Sequence, residues 1–174
     1  MRIYKLLLNW LIPVFFSFTN SVFAQSNEEY WEKWNRNYQD IDAAYLLRME
    51  RNYADSVENN PSIPSYYSRI DKYKFKAEFL GKINKTDLHV IRSMKDVFKL
   101  FVGDAKQLDG MTENSVLFKI GDEEIWMPIQ THILKAFKKE IEKGDVVMLY
   151  CLFLNEHTVQ NKLYNIFFIS EFYL

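Results

Sequence analysis

Three histidines and one cysteine are the side chains of this sequence best suited to metal binding or nucleophilic chemistry. His89, His132 and His157 lie far apart, and none stands three or four residues from another, as histidines that bind zinc from one helix do. Cys151 has no partner for an intrachain disulfide. Its apolar neighbours favour a buried thiol, whereas a reactive thiol needs an electropositive, partly exposed setting. We therefore predict no metal ion, no cofactor and no catalytic thiol.

The densest acidic cluster is formed by Asp122, Glu123 and Glu124. Paired carboxylates can act as acid and base when their environments separate their pKa values. This cluster follows Gly121 in a predicted hairpin turn, where side chains are usually solvated. Neither a G-x-S-x-G nucleophile elbow nor a phosphate-binding glycine loop occurs in the sequence. No catalytic residue is predicted.

The first 24 residues have the three-part pattern of a cleavable signal peptide. Arg2 and Lys5 precede an apolar stretch over 6–18, and the triplet Val22-Phe23-Ala24 supplies a cleavage site near Ala24. The stretch of about 13 residues is shorter than the roughly 20 that span a bilayer. We expect an exported protein, in the periplasm or outside the cell, without a stable membrane anchor.

Composition narrows the possible partners of the mature protein. The full chain has 22 Lys and Arg against 23 Asp and Glu, so removing Arg2 and Lys5 leaves a net charge of −3. A mildly acidic chain has no basic field to attract nucleic acid. Aromatic residues reach 17%, which suits a core of large side chains.

The segment 25–60 predicts one long amphipathic helix. Aromatic and apolar residues recur there at helical spacing and share one face: Trp31, Trp34, Tyr38, Ile41 and Tyr45. We expect this stripe to cover the outer apolar face of the last two strands, leaving a monomer rather than a homodimer. Residues 61–69 are predicted to be a linker.

Strand patterns dominate 70–174. Apolar residues alternate with charged ones over 72–79, and Gly81 predicts a bend or bulge. A second strand is plausible at 88–92, and 93–102 fits a short helix. The remaining predictions are a hairpin over 115–129, a helix over 131–143, strands at 146–154 and 163–173, and a polar loop at 155–162.

This order of elements resembles an OB-fold barrel. The stretch from Glu124 to Gln130, the following helix, the Lys143-Gly144-Asp145 turn and the long apolar strand after it resemble small exported bacterial OB-like proteins of uncharacterised role. The resemblance implies an α+β, mainly β fold, a small OB-like barrel over 70–174 behind the long helix. An α+β roll with one antiparallel sheet is the alternative.

The resemblance also implies a binding site, because OB-folds bind ligands across their second and third strands and on two loops. Trp126 could add a stacking surface. The residues that correspond are Lys82, Asn84, Lys85, Trp126, Asn155, Glu156 and His157.

Without a catalytic constellation, the sequence favours an exported, non-enzymatic protein that binds a protein, a peptide or a glycan. One alternative is an exported hydrolase that uses scattered carboxylates and His157, which we expect to be exposed. Another is an assembly subunit that docks through its N-terminal helix.

Overall fold

The computed structural model describes residues 28–60, 62, 67–158 and 162–174. The predicted signal peptide and most of the predicted linker lie outside the described residues. The chain is α+β and divides after Asn37 into two units. The described part of the first unit is a helix, α1, over 28–37. In it the ring of Tyr30 lies edge-on to that of Trp31, with centroids 5.0 Å apart.

Six strands of the second unit form one mixed sheet in the order β1-β2-β3-β4-β6-β5. Strand β5 also pairs with β2, so the order returns to β2. The strands are β1 (Gln39–Asp40), β2 (Tyr67–Lys85), β3 (Asn114–Ile120), β4 (Glu123–Ile129), β5 (Val146–Thr158) and β6 (Lys162–Tyr173). The helices are α2 (Ala43–Glu58), α3 (Leu88–Val102), a 3-10 turn (Ala105–Leu108) and α4 (Thr131–Glu140). Because β1–β2 and β4–β6 are parallel, the alternative of one antiparallel sheet is wrong.

The predicted single helix over 25–60 is also wrong, because the chain leaves the helical conformation between α1 and α2. Strand β1 pairs there in parallel with β2, and the Ile41 backbone N–H donates to the Lys74 carbonyl. Asp42 then caps α2, its carboxylate accepting from the Tyr45 backbone N–H at 2.9 Å. Strand pairing and a strong N-cap thus give these backbone groups other partners than a continuous helix.

The aromatic stripe predicted for that helix is divided by the same break. Tyr38 is buried edge-on against Tyr150, with ring centroids 5.6 Å apart. Ile41 packs against the main core, whereas Tyr45 is exposed. Within the second unit, the residues of the predicted stripe therefore do not share one surface.

Strand β2 is long because it pairs with two neighbouring strands. Its first part pairs with β5 and its last part with β3. Its pairing with β3 changes register between Phe79 and Ile83, and Gly81 lies there with φ +78°. This left-handed conformation favours glycine, and it confirms the bend predicted at Gly81.

Alternate residues of the strands point into the main core. Phe137 of α4 is fully buried in it, with ring centroids 5.2 Å from both Phe79 and Phe172. Helix α2 adds Ala43 and Leu47 to the same core. Both helices therefore pack on the side of the sheet that carries the interior residues.

Helix α3 covers the opposite side of β5 and β6. A second core forms there from Met94, Val97, Phe98, Leu108, Leu154, Ile166 and Phe168. The strand predicted at 88–92 is wrong, because α3 starts at Leu88 after the N-cap Asp87. The apolar face spaced for a helix outweighs the short strand-like run before it. Helix α3 and Tyr38 thus cover part of the outer face of the closing strands, whereas Val146 and Tyr173 are exposed.

The hairpin, α4 and the two closing strands confirm the predictions for the second half of the chain, although α4 ends at Glu140. The predicted loop over 155–162 is wrong at its start, since β5 continues to Thr158 and pairs with β6. Asn155 and His157 are buried strand residues. Their polarity reflects polar neighbours on α2, not exposure to solvent.

Candidate functional site

A cleft of about 520 Å³ lies where the end of β2 and the start of α3 meet β3, β4 and β6. Its volume is in the range of small-molecule sites. The side chains that line it include an amide, an ammonium group, a carboxylate, an imidazole, a hydroxyl and two aromatic side chains. The lining residues are Asn84, Lys85, Asp87, His89, Val90, Ser115, Trp126 and Tyr164.

Trp126 is the largest apolar side chain of the cleft. Its neighbours in β4, Ile125 and Met127, contact the main core, so the alternation of the strand directs Trp126 to the other face. The side chain is 40% exposed. An indole held by a strand and open to solvent on one face can stack on a flat ligand surface.

Asn84 and Lys85 stand at the end of β2, and both are exposed. Within the described ranges, Lys85 takes part in no ion pair. Asp87 is partly engaged, because its carboxylate accepts from the backbone N–H of His89 at 2.7 Å. The amide and the ammonium group can therefore turn towards a ligand.

Ser115 forms the floor of the cleft and is buried. Its hydroxyl lies 3.0 Å from that of Thr86, so the two hydroxyls share a hydrogen bond. The Thr86 backbone N–H donates to the Glu113 carbonyl. These contacts fix the segment between β2 and α3 against β3.

The cleft therefore gathers three of the seven residues predicted as a site, Asn84, Lys85 and Trp126. Lys82 is exposed on the same strand but does not line the cleft. His89 and Tyr164 line the cleft but are not among the predicted residues. His89 is missing because the sequence pattern over 88–92 indicates a strand. The signal that could have placed His89 is Asp87, a good N-cap directly before the apolar helical pattern.

The other three predicted residues lie in a different place. Glu156 accepts a hydrogen bond from the Ser93 hydroxyl of α3 at 2.6 Å. Asn155 donates to the carboxylate of Glu50 at 3.2 Å and to the side-chain carbonyl of Asn165 at 2.7 Å. These contacts join secondary-structure elements, so we assign both residues to the framework.

His157 is 1% exposed, which overturns the prediction of an exposed loop histidine. Its Nε2 atom lies 3.7 Å from a carboxylate oxygen of Glu58 at the end of α2. Strand β5 places it on the same side as Asn155, facing α2. Because the imidazole is buried, a substrate in solution cannot reach it.

Glu50 is the charged residue on the buried face of α2. It accepts from the guanidinium of Arg69 at 2.6 Å as well as from Asn155. The Glu50 side chain is 7% exposed and that of Arg69 35%. The guanidinium also lies 5.3 Å from the centroid of the Phe153 ring. This cluster holds α2 on β2 and β5.

Burial shifts several pKa values outside the cleft. Desolvation raises the pKa of the Cys151 thiol well above 9.0, so the thiol is protonated and unreactive. Desolvation also raises the pKa of Tyr38, although its hydrogen bond to Ser170 lowers it in part. The pKa values of Tyr73 and Tyr150 are raised mainly by burial.

A second groove separates α2 from the β3–β4 turn. Arg48, Asn52 and Asp55 line it from the helix, and Gly121 and Asp122 line it from the turn. An ion pair between Arg51 and Glu123 crosses it. Basic and acidic side chains both line this groove, so neither an anionic nor a cationic ligand is favoured.

Searches of the described ranges find no group of three or more His, Cys, Asp or Glu side chains placed to hold a metal ion. None of the helices described here has both the length and the apolar character of a membrane span. No protein-family model matches the chain, and no curated protein or solved structure matches it either.

Proposed function

We propose that this chain is an exported, non-enzymatic binding protein with an OB-like barrel, and that its ligand occupies the cleft beside Trp126. The barrel is supported by the strand order, which returns to β2 through the β2–β5 pairing, and by a helix between β4 and β5. An OB-fold has five strands in such an arrangement and binds ligands on its second and third strands. These correspond to β3 and β4, which contribute Ser115 and Trp126 to the cleft.

The observation that carries the proposal is the position of Trp126. A half-exposed indole faces a cleft whose rim carries the Asn84 amide and the Lys85 ammonium group. Such a combination provides a flat apolar contact together with groups that fix orientation. A glycan fits this description, because its rings have an apolar face and a hydroxyl-bearing edge.

The test is binding of the mature protein to an array of neutral and acidic oligosaccharides, repeated with Trp126→Ala. We expect the wild type to retain at least one oligosaccharide and Trp126→Ala to lose it, since stacking surfaces contribute strongly to affinity. Tyr45→Ala is the matched control, because Tyr45 is an aromatic residue 52% exposed outside the cleft. An array without binding, or binding that survives Trp126→Ala, would refute the proposal.

Export is tested separately, by mass spectrometry of the protein recovered from its native host. The proposal requires a mature chain that begins at Gln25. Recovery of the chain with intact Met1 from the cytosol would contradict it.

The hydrolase alternative depended on an exposed His157, and this residue is buried. Asp87, His89 and Ser115 do share the cleft. However, the carboxylate bonds to a backbone N–H and the hydroxyl to Thr86, whereas a triad needs a carboxylate on the imidazole and the imidazole on the hydroxyl. Binding is therefore the better supported function. The assembly alternative stays a prediction.

A further inference from the structure

The cleft contains one lysine and one aspartate, and the two groups differ in what they already contact. Asp87 directs its carboxylate to the first turn of its own helix, where it accepts from the His89 backbone N–H. Lys85 is exposed and, among the described residues, in no ion pair. Lys85 is therefore the group of the lining with which a ligand carboxylate can pair, while Asp87 keeps its own charge and limits how much negative charge the cleft accepts.

The other lining groups narrow the kind of anion. Trp126 and Tyr164 present rings, and Asn84 presents an amide that can both donate and accept. Val90 is the one aliphatic residue of the lining, whereas sites for an acyl chain or a hydrophobic peptide side chain are lined mostly by such residues. The lining favours a ligand with a flat, hydroxylated body.

A polyphosphate chain is disfavoured by the charges. Nucleic-acid sites use several cations along the backbone of the ligand, and the cleft contains one lysine beside an aspartate. A single ammonium group suits a single carboxylate. Flat, hydroxylated bodies that carry one carboxylate per ring are uronic acids.

We propose that the cleft selects acidic sugars, with a sugar ring on Trp126 and the carboxylate of that sugar on the Lys85 ammonium group. The inference rests on the proposed function, since it names the ligand class of the same cleft. Asn84 would hydrogen-bond ring hydroxyls of the same sugar. Trp126 supplies affinity for the ring, and Lys85 supplies the preference for the acid.

The experiment compares a galacturonic acid trimer with its methyl ester, which has the same skeleton without the charge. Affinities are measured by calorimetry on the mature wild type, Lys85→Gln, Lys82→Gln and Trp126→Ala. Lys82→Gln is the matched control, since Lys82 is an exposed lysine of the same strand outside the cleft. All of these side chains are exposed, and circular dichroism verifies that each variant is folded.

We expect the wild type to prefer the acid over the ester by about tenfold, as one charge-assisted hydrogen bond would give. Lys85→Gln should abolish the preference by weakening binding of the acid far more than binding of the ester, and Lys82→Gln should retain the preference. Trp126→Ala should reduce the affinity for both the acid and the ester. Raising the salt concentration should reduce the preference, because the ion pair is exposed.

The results separate the two proposals. If Trp126→Ala weakens binding but Lys85→Gln keeps the preference for the acid, the acidic-sugar inference is wrong and the proposed function stands. If Trp126→Ala changes neither affinity, the proposed function is wrong as well. If neither trimer binds, or a glutamate-rich peptide binds in their place, the ligand class is wrong.

Discussion

The ion pair between Glu50 and Arg69 should respond very differently to the removal of either partner. Both groups lie between α2 and the sheet, but the Glu50 side chain is 7% exposed and the Arg69 side chain 35%. When Glu50 is replaced, the Arg69 guanidinium keeps Asp71 at 3.1 Å and can be hydrated. The buried Glu50 carboxylate cannot be hydrated in the same way when Arg69 is replaced. We predict that Arg69→Met destabilises the fold more than Glu50→Gln does.

The magnitudes follow from these exposures. Arg69→Met leaves a buried carboxylate without its guanidinium, which costs about 3–5 kcal/mol. Methionine keeps the apolar contact with the Phe153 ring, so little packing is lost. Glu50→Gln removes the charge but keeps an acceptor for Asn155 and Arg69, and we expect a cost of about 1–2 kcal/mol. The expected difference is about 2 kcal/mol or more.

The assay is urea unfolding of the mature protein at neutral pH, followed by circular dichroism. Arg51→Met is the control, because the ion pair of Arg51 with Glu123 is exposed on both sides. Such pairs contribute at most about 1 kcal/mol. The reasoning is refuted if Glu50→Gln costs as much as Arg69→Met, or if Arg69→Met costs no more than the control.

Three further predictions concern the sheet and its core. Cys151 should react with a thiol reagent slowly in the native protein and rapidly in denaturant, since it is fully buried; fast native labelling would show that the strand is accessible. Gly81→Ala should destabilise the fold more than Gly103→Ala. Both have positive φ, which costs a non-glycine residue about 1–2 kcal/mol, but a Cβ at Gly81 would also lie 3.0 Å from that of Lys143; equal melting temperatures would contradict this. Because burial raises the pKa of Tyr38 in the folded state, its contribution to stability is complete below the ordinary tyrosine pKa of 10.0 and is lost as the pH rises through the folded pKa. Tyr38→Phe should therefore reduce the fall in stability measured by unfolding at alkaline pH, and an unchanged pH profile would count against the assignment.

Much of the sheet could be predicted because its signals are local. Alternation in β2, the Gly121 turn and the apolar run around Cys151 each depend on a few neighbouring residues. A two-residue period and a tight turn have direct physical causes in the pleat and in backbone sterics. The strands in these regions lie close to where they are predicted.

The break between α1 and α2 could not be found by the same means. Helical spacing continues from Trp34 through Tyr38 to Ile41, so periodicity alone predicts a helix. Pairing with β2 competes with the helix for the backbone hydrogen bonds of β1, and β2 lies more than 25 residues later in the sequence. Asp42 was the one local sign of a new helix start.

The candidate site was predicted in part for a related reason. Asn84, Lys85 and Trp126 belong to strands whose positions were visible, and the cleft contains them. Asn155 and His157 were placed in a loop because polar residues usually face solvent. Their partners, Glu50 and Glu58, come from a helix about 100 residues earlier, and such partners leave no local trace.

The two-sided pairing of β2 has a consequence for how the chain folds. Tyr67 pairs with His157, about 90 residues later, and the twelve consecutive pairs of β2 with β5 all link distant parts of the chain. Loop closure on this scale must precede most of the stabilising contacts, so folding should be slow compared with a helical protein of equal size. Strand β5 can complete this pairing only after about 90 residues have followed the start of β2. For a protein proposed to cross a membrane before it folds, slow closure prolongs the time in which the chain stays unfolded and competent for export.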